Sequence, residues 1–410
     1  MHCHWRRSTE QSPLLLLTVT IAGALGITIP AAAQQNGGRQ RLSTVQACHG
    51  APSLTAQLGG KSMGLKNKSK DTMVNAASQF MDYFNATPST RSLSSICWGA
   101  SQVGPRDQSN GLEDKTLSDY VYWDGGIIKG TDGIYHMFAS RWNQADGHNG
   151  WQWDSHAIHA TSTHLYGPYT DRGLCWPDID GGKGHNVTPL QLKDGRYAIT
   201  VSGVRRGGVF VSKSLDGPWS YMGDVTVAKN AYSDAFNTQE NLHIILRPDG
   251  RYEAVTSRGL IALADDVAGP YTVQGPSLFS EVPNCPNIYT LEDPCIWYSG
   301  GHYHFLTNQW DIRKAFHFTS SDGIANWKLN AGYAYDPTAG FIRDANGTVN
   351  HWCKLERPNV YIEKGHVVAM TFAAINVEKE KDLGNDLNGS KIIIVPFDGA
   401  ALDRANSKSK

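Results

Sequence analysis

From about residue 118 onward, apolar positions come in short alternating runs broken by glycine-bearing turns. Alternation of this kind marks half-buried β-strands. Five stretches can be laid over one another: YWDGGIIKGTDGIYHMFASRW, HNVTPLQLKDGRYAITVSG, QENLHIILRPDGRYEAVTSRG, LEDPCIWYSGGHYHFLTNQW and LERPNVYIEKGHVVAMTFAA. Each has a polar start, an apolar strand, a turn with glycine and a second strand. Asp132-Gly133, Asp194-Gly195 and Asp249-Gly250 are strong hairpin signals. A second half repeats too: HAIHATSTHLYGPYT, GVFVSKSLDGPWS, LIALADDVAGPYT and AFHFTSSDGIANWK each give a strand, a polar corner and an aromatic strand. The turn glycines at 133, 195, 250, 301 and 365 set a period of 51 to 64 residues, room for four strands. Repeated four-stranded sheets close radially, so the pattern predicts an all-β chain folded as a five-bladed β-propeller. A β-helix needs a much shorter repeat, and a sandwich needs no internal likeness. The last strand, KIIIVPFDG at 391–399, is expected to return to the first blade, closing the ring and covering a sheet edge.

Upstream the pattern differs. In DTMVNAASQFMDYF, residues 71–84, Met73, Ala76, Ala77, Phe80 and Phe84 fall at helical spacing behind an Asp71 cap. One helix is expected there, packed on the main domain or on a partner. Residues 34–70 are polar and rich in Gly, Lys and Ser. Arg6 and Arg7, the apolar run Leu14 to Ile29 and Ala31-Ala32-Ala33 follow the order of a secretory signal. The expected organisation is a signal over 1–33, a leader with a helical extension over 34–117, and a catalytic propeller over 118–410. A secreted or periplasmic location follows, with no membrane attachment once the signal is removed. Six cysteines then remain, Cys48, Cys97, Cys175, Cys285, Cys295 and Cys353. An even number in an oxidising compartment suggests disulfides, with connectivity open, Cys285 and Cys295 near enough to close a small loop, and free buried thiols as the alternative for some of them. No CxxC pair or Cys/His cluster suggests zinc.

Composition narrows the partners. The formal charge is −1 and no long basic block occurs, which argues against nucleic acid. Charged residues make up 18%, aromatics 10%, and there are 42 glycines, a balance that fits a turn-rich β protein. Aromatic rings also suit carbohydrate, whose C–H faces pack on them, although most fill the core.

In a propeller the inner strands line a central channel and their starts meet at one end of it. Here those starts lie near Asp124, Asn186, Glu240, Asp293 and Glu356. Two carboxylates across a glycosidic bond divide acid and base roles, with about 6.5–9.5 Å between them when the reaction inverts. A third carboxylate raises the acid's pKa by its negative charge. The competing reading is that strand-start carboxylates cap turns or pair with arginine. His185, His243 and His304 lie on or beside inner strands and are candidates for contacts to sugar hydroxyls, or for purely structural roles. The segment 140–160 offers Arg141, Trp142 and Trp153 as sugar contacts, or is an ordinary loop with buried tryptophans.

WDGGII with YHMFASRW, EDPCIWY, LERPNV and the GPY/GPW corners resemble the five-bladed propeller glycoside hydrolases of families 43 and 117 over about residues 118–399. The resemblance implies that Asp124 is the general base, that Asp293 tunes and orients the acid, and that Glu356 is the acid. Glu240 and Glu292 also align with Glu356 in the repeat. Relatives in family 117 implicate a histidine as acid, which makes His351 a competitor. Asp124 is followed by Gly-Gly where family 43 commonly has Asp-Pro. The resemblance also implies a calcium ion in the central channel of some relatives, and a dimerising N-terminal segment. The activity so implied is inverting, exo-acting hydrolysis that releases a terminal sugar from an oligo- or polysaccharide, with no required cofactor. Two competitors stand beside it. One is a propeller lyase with a His or Tyr base and Arg141 facing a uronate. The other is a carbohydrate-binding propeller that retains the cleft without turnover. Glu240, like the three histidines, is an expected substrate contact of the hydrolase.

Overall fold

The computed structural model describes residues 79–88, 107–384 and 390–408. Five antiparallel sheets follow one another along the chain, each with its strands in chain order. Blade one holds β1 (Tyr120–Lys129), β2 (Tyr135–Asn143), β3 (His156–Ser162) and β4 (Thr170–Leu174). Blade two holds β5 (Thr188–Gln191), β6 (Tyr197–Val201), β7 (Gly208–Ser212) and β8 (Ser220–Asp224). Blade three holds β9 (Leu242–Leu246), β10 (Tyr252–Thr256), β11 (Ile261–Ala264) and β12 (Thr272–Val273). Blade four holds β13 (Leu291–Ser299), β14 (His302–Gln309), β15 (Lys314–Ser320) and β16 (Lys328–Leu329). Blade five has three strands, β17 (Lys354–Glu363), β18 (His366–Ile375) and β19 (Lys391–Pro396). Helices are short: α1 (Trp151–Asp154), α2 (Leu278–Glu281) and α3 (Gly399–Lys408). None of the described helices is long and apolar enough to cross a membrane.

The five hairpin glycines adopt nearly one conformation, with φ of +85° at Gly133, +86° at Gly195, +84° at Gly250, +81° at Gly301 and +80° at Gly365. A Cβ at any of them would meet nothing within 4 Å, so the backbone angle, not crowding, is what calls for glycine. The three Gly-Pro corners, at Gly167-Pro168, Gly217-Pro218 and Gly269-Pro270, share a cis peptide bond.

Closure of the ring is visible in the cores. Phe138, Ile199 and Phe210 pack together between blades one and two. Leu190, Ile244 and Tyr252 do so between two and three. Val255, Ile296 and Phe305 fill the space between three and four, and Trp297, Leu306 and Phe372 that between four and five. Ile127, Met137, Tyr361 and Ile394 then join blade five to blade one. Alternating side chains point to opposite neighbours, so strands such as β10, β11 and β19 are buried on both faces.

The expected return of 391–399 to blade one does not occur. β19 pairs with β18 as the third strand of blade five, from Ala369↔Pro396 to Ala374↔Lys391. Its outer edge is covered by upstream chain instead, through the bridges Leu112↔Ile392 and Phe84↔Phe397. Asn110 also binds both backbone groups of Ile394, donating to its carbonyl at 2.8 Å and accepting from its N–H at 2.9 Å.

Of the expected helix over 71–84, the part before residue 79 lies outside the described residues. The remainder is one 3-10 turn, Phe80–Tyr83, with Asp82 accepting from the Gln79 N–H at 2.7 Å. It packs on the propeller, with the buried Phe80 ring 4.9 Å from Phe397 and 4.5 Å from His317. The signal, residues 34–78 and residues 89–106, with Cys48 and Cys97, likewise lie outside the described residues. Cys175, Cys285, Cys295 and Cys353 are free thiols. The expected Cys285–Cys295 loop is absent for a topological reason. Cys295 points into the core between blades four and five, whereas Cys285 packs on the core between three and four.

Candidate active site

Three inner strands carry a bulge at their functional position, between Asp124 and Gly126, Glu292 and Cys295, and Glu356 and Asn359. A bulge re-aims one side chain out of the pleat. Asp124, Asn186, Asp293 and Arg357 accordingly have positive φ, from +49° to +69°. Asp and Asn tolerate this region better than other non-glycine residues, and arginine is the exception here.

The bulges sort the strand starts into two rings. At the propeller axis sit Asp124, Asn186, Asn241, Asp293 and Arg357, which close a cycle of hydrogen bonds. Asn186 donates to Asn241 at 3.0 Å, and Asn241 to Asp293 at 2.6 Å. The Arg357 N–H donates to Asp293 at 3.0 Å, and its Nε to Asp124 at 2.9 Å. The Val187 N–H completes the circuit on Asp124 at 2.9 Å. Ser140 also donates to Asp124, so both carboxylate oxygens are engaged and only 2% of the residue is exposed.

The preceding residues, Trp123, His185, Glu240, Glu292 and Glu356, face a cavity of about 420 Å³ above this ring. One wall is aromatic, made of Trp123, His148, Trp151 and His185, with the Trp151 ring stacked on His185 at 4.7 Å. Tyr289 and Trp310 stand at the mouth, 78% and 45% exposed. Their segments are tied by the Trp310 N–H, which donates to the Thr290 carbonyl at 3.1 Å. The cavity also carries an acidic cluster. Glu292, Asp293 and Glu356 each offer an oxygen within 4.8 Å of the others.

That crowding sets the electrostatics. Burial, then the charges of Asp293 and Glu356, push Glu292 up to about 8, and its buried Oε1 has no hydrogen-bond partner. Asp293 is raised by burial and by Glu356, against the pull of Arg357 and Lys379. Lys379, in the 3-10 turn Lys379–Lys381 after β18, pairs with Glu356, and Lys354 lies 3.8 Å from the same carboxylate. Burial lowers His185 to about 4. Its Nδ1 lies 3.0 Å from the Ser155 hydroxyl, which donates to the Gly184 carbonyl, so Nδ1 is the donor and Nε2 is left as an acceptor.

Asp293, Glu356, Glu240 and His185 line the cavity, and Asp124 lies beneath its floor. Other expected site residues fall elsewhere. His351 is exposed and does not line the cavity. Arg141 pairs with Asp171 and lies over the Tyr120 ring at 4.2 Å, on the flank of blade one. Trp142 is buried and donates to the Gly147 carbonyl at 3.0 Å, and Trp153 is 57% exposed away from the cavity. His243 lies below the ring, accepting from the Ile296 N–H at 3.3 Å. His304 is sealed inside blade four, stacked on Trp297 at 4.9 Å and bonded to His317 at 3.0 Å. Sequence reasoning missed Asn241, Arg357, His148, Trp151 and Lys379. Asn241 and Arg357 directly follow Glu240 and Glu356, so moving those two strand starts one residue later would have aligned them with Asp124, Asn186 and Asp293 in the axial ring.

A calcium ion does not fit the axis. The Arg357 guanidinium already stands between Asp124 and Asp293, 2.9 Å and 3.6 Å from their oxygens. An ion would have to displace it.

No protein-family model matches the sequence, and no curated protein matches it. Solved structures do align with it. A family 117 glycoside hydrolase from the marine bacterium Zobellia galactanivorans is 15% identical over 71% of this chain and 89% of its own, with a TM-score of 0.47. A family 43 β-xylosidase/α-arabinofuranosidase from a compost metagenome is 13% identical over 71% and 94%, with a TM-score of 0.45. An α-L-arabinofuranosidase from Podospora anserina is 11% identical over 70% and 94%, with a TM-score of 0.49.

Proposed function

We propose that the central cavity hydrolyses glycosidic bonds, with Glu292 as general acid. The observation that carries this is the carboxyl trio of Glu292, Asp293 and Glu356 in a cavity that aromatic side chains also line. A carboxyl raised to about 8 keeps its proton at neutral pH and can give it to a leaving oxygen. Asp293 and Glu356 hold that proton in place by their charge, and Lys379 fixes Glu356. This shifts the acid from Glu356 to its repeat counterpart in blade four.

The trio is too tight to hold the water of an inverting reaction, which needs roughly 6.5–9.5 Å between acid and base. A base therefore has to come from outside it. Glu240 faces the cavity from blade three, where it accepts from the Ser257 hydroxyl at 2.8 Å and lies 3.5 Å from Arg258. We assign the base to Glu240. Asp124, its oxygens already filled, positions Arg357. The aromatic mouth then holds a terminal or near-terminal sugar of an oligosaccharide.

The test is a panel of aryl glycosides and plant and algal oligosaccharides, with product anomers followed by NMR. Hydrolysis with inversion, lost in E292Q and E240Q, is the expected result. Retention would place a nucleophile inside the trio. An unsaturated, ultraviolet-absorbing product would make the cavity a lyase, and binding without turnover in the native chain would make it a lectin-like site.

A further inference from the structure

A second cavity is larger than the central one. A polar groove of about 810 Å³ lies on the flank of blades one and two, lined by Asp132, His136, His159, Arg172, Asp216 and Trp219 among others. It shares no lining residue with the central cavity. His136 on β2 and His159 on β3 are buried at its wall, with Nδ1 of the first 2.8 Å from Nε2 of the second and ring planes within 5°. The Asp216 carboxylate, from the corner between β7 and β8, comes within 3.9 Å of that same Nδ1. One atom from each of the three lies within 4.8 Å of the others.

Blade four supplies an internal comparison. His304 on β14 and His317 on β15 occupy equivalent strand positions and meet in the same way, Nδ1 to Nε2 at 3.0 Å, with planes within 6°. There the carboxylate, Asp403, lies 3.7 Å from the opposite nitrogen of His304, its Nε2. Asn330 sits 2.9 Å from the remaining nitrogen of His317, and Trp297 covers the pair. The imidazole pair is thus a recurring blade feature. Only in blade one does a carboxylate from a neighbouring blade converge on the shared nitrogens, and only there does the pair open onto a solvent groove.

We propose that His136, His159 and Asp216 bind a divalent transition metal of the zinc type, with the fourth position open to the groove. Two imidazoles and a carboxylate form a donor set that zinc accepts. Donors on a tetrahedral zinc with bonds of roughly 2.0–2.2 Å lie roughly 3.3–3.5 Å apart. The imidazoles therefore part slightly, and Asp216, 71% exposed on its corner, moves in. The ion takes the place of the shared proton. It pins the corner of blade two to the sheet of blade one, and it has no part in the central chemistry.

The test uses the full chain, freed of metal with a chelator and dialysed, then titrated with Zn²⁺ by calorimetry and with Co²⁺ by visible absorption. One equivalent is expected to bind, with tetrahedral cobalt bands and a rise in Tm on zinc addition. D216N should weaken binding by about tenfold or more, and H159Q should abolish it. D216N decides the matter even where H159Q folds poorly, because its carboxylate is exposed. E356Q, which breaks the other cluster of donors, should leave affinity unchanged. Failure to bind zinc, binding indifferent to D216N, or binding lost in E356Q would overturn the proposal.

Discussion

Glu292 and Arg357 stand at opposite ends of the electrostatics in the central site. Burial and two acidic neighbours raise the Glu292 pKa, which bears on stability and, in the proposed reaction, on activity. E292Q should lower kcat by about 10²–10⁴-fold and remove an alkaline fall in rate near pH 8. The stability effect has a definite sign. The folded protein keeps this proton to about 8, whereas the unfolded chain loses it near the ordinary 4.5. The contribution is present below the lower value and is lost as pH rises towards the upper one. A plot of Tm against pH from 5 to 8 should therefore fall less steeply in E292Q; an unchanged slope would contradict the assignment. Arg357 plays the converse part, a buried cation between two buried aspartates. R357M leaves both without their partner and should cost about 3–5 kcal/mol in a denaturant titration. Millimolar calcium should leave the native Tm unchanged, because the guanidinium fills the place the ion would need.

At the scale of the element, the hairpin turns were legible and the bulges were not. The turns are local. Glycine after Asp, Gly or Lys between two apolar runs specifies the backbone, and all five glycines share φ between +80° and +86°. A bulge shifts the register of every later residue by one, and nothing in the strand's own composition announces it. Strand starts were therefore found, but Glu240 and Glu356 were grouped with the axial Asp124, Asn186 and Asp293, and Asn241 and Arg357 were passed over. His148 and Lys379 come from irregular segments without a periodic pattern, and only their packing against Trp123 and Glu356 brings them to the cavity. The turn argument can be measured. Gly195→Ala should destabilise the protein by about 1 kcal/mol or more, since alanine resists φ of +86° although no atom crowds it. Gly275 has ordinary φ and equally open surroundings, so Gly275→Ala should be neutral or slightly stabilising. Equal effects at the two sites would refute the conformational explanation.

At the scale of the whole molecule, the sequence showed that the repeats make a ring but not how the ring closes. An apolar strand at the end of the chain invited the expectation that it would complete blade one. β19 instead belongs to blade five, whose fourth place no described strand takes. Its free edge would expose a row of backbone groups. Upstream chain answers that need in pieces: Leu112 bridges Ile392, Phe84 bridges Phe397, and between them Asn110 presents a side-chain amide that copies a strand's donor and acceptor to Ile394. Asn110 is buried, so its loss leaves two backbone groups without partners and without water. N110A should therefore cost about 1–3 kcal/mol for each of them, more than a surface change and comparable to a core truncation. Aspartate in its place accepts but cannot donate, so N110D should restore at most the bond from the Ile394 N–H. The five inter-blade cores join every blade to two neighbours, and no blade has an independent interior. The loss at Asn110 should consequently lower one cooperative transition. Two separated transitions by calorimetry, with blade five melting first, would show that upstream chain merely covers an edge and that the ring is held shut elsewhere.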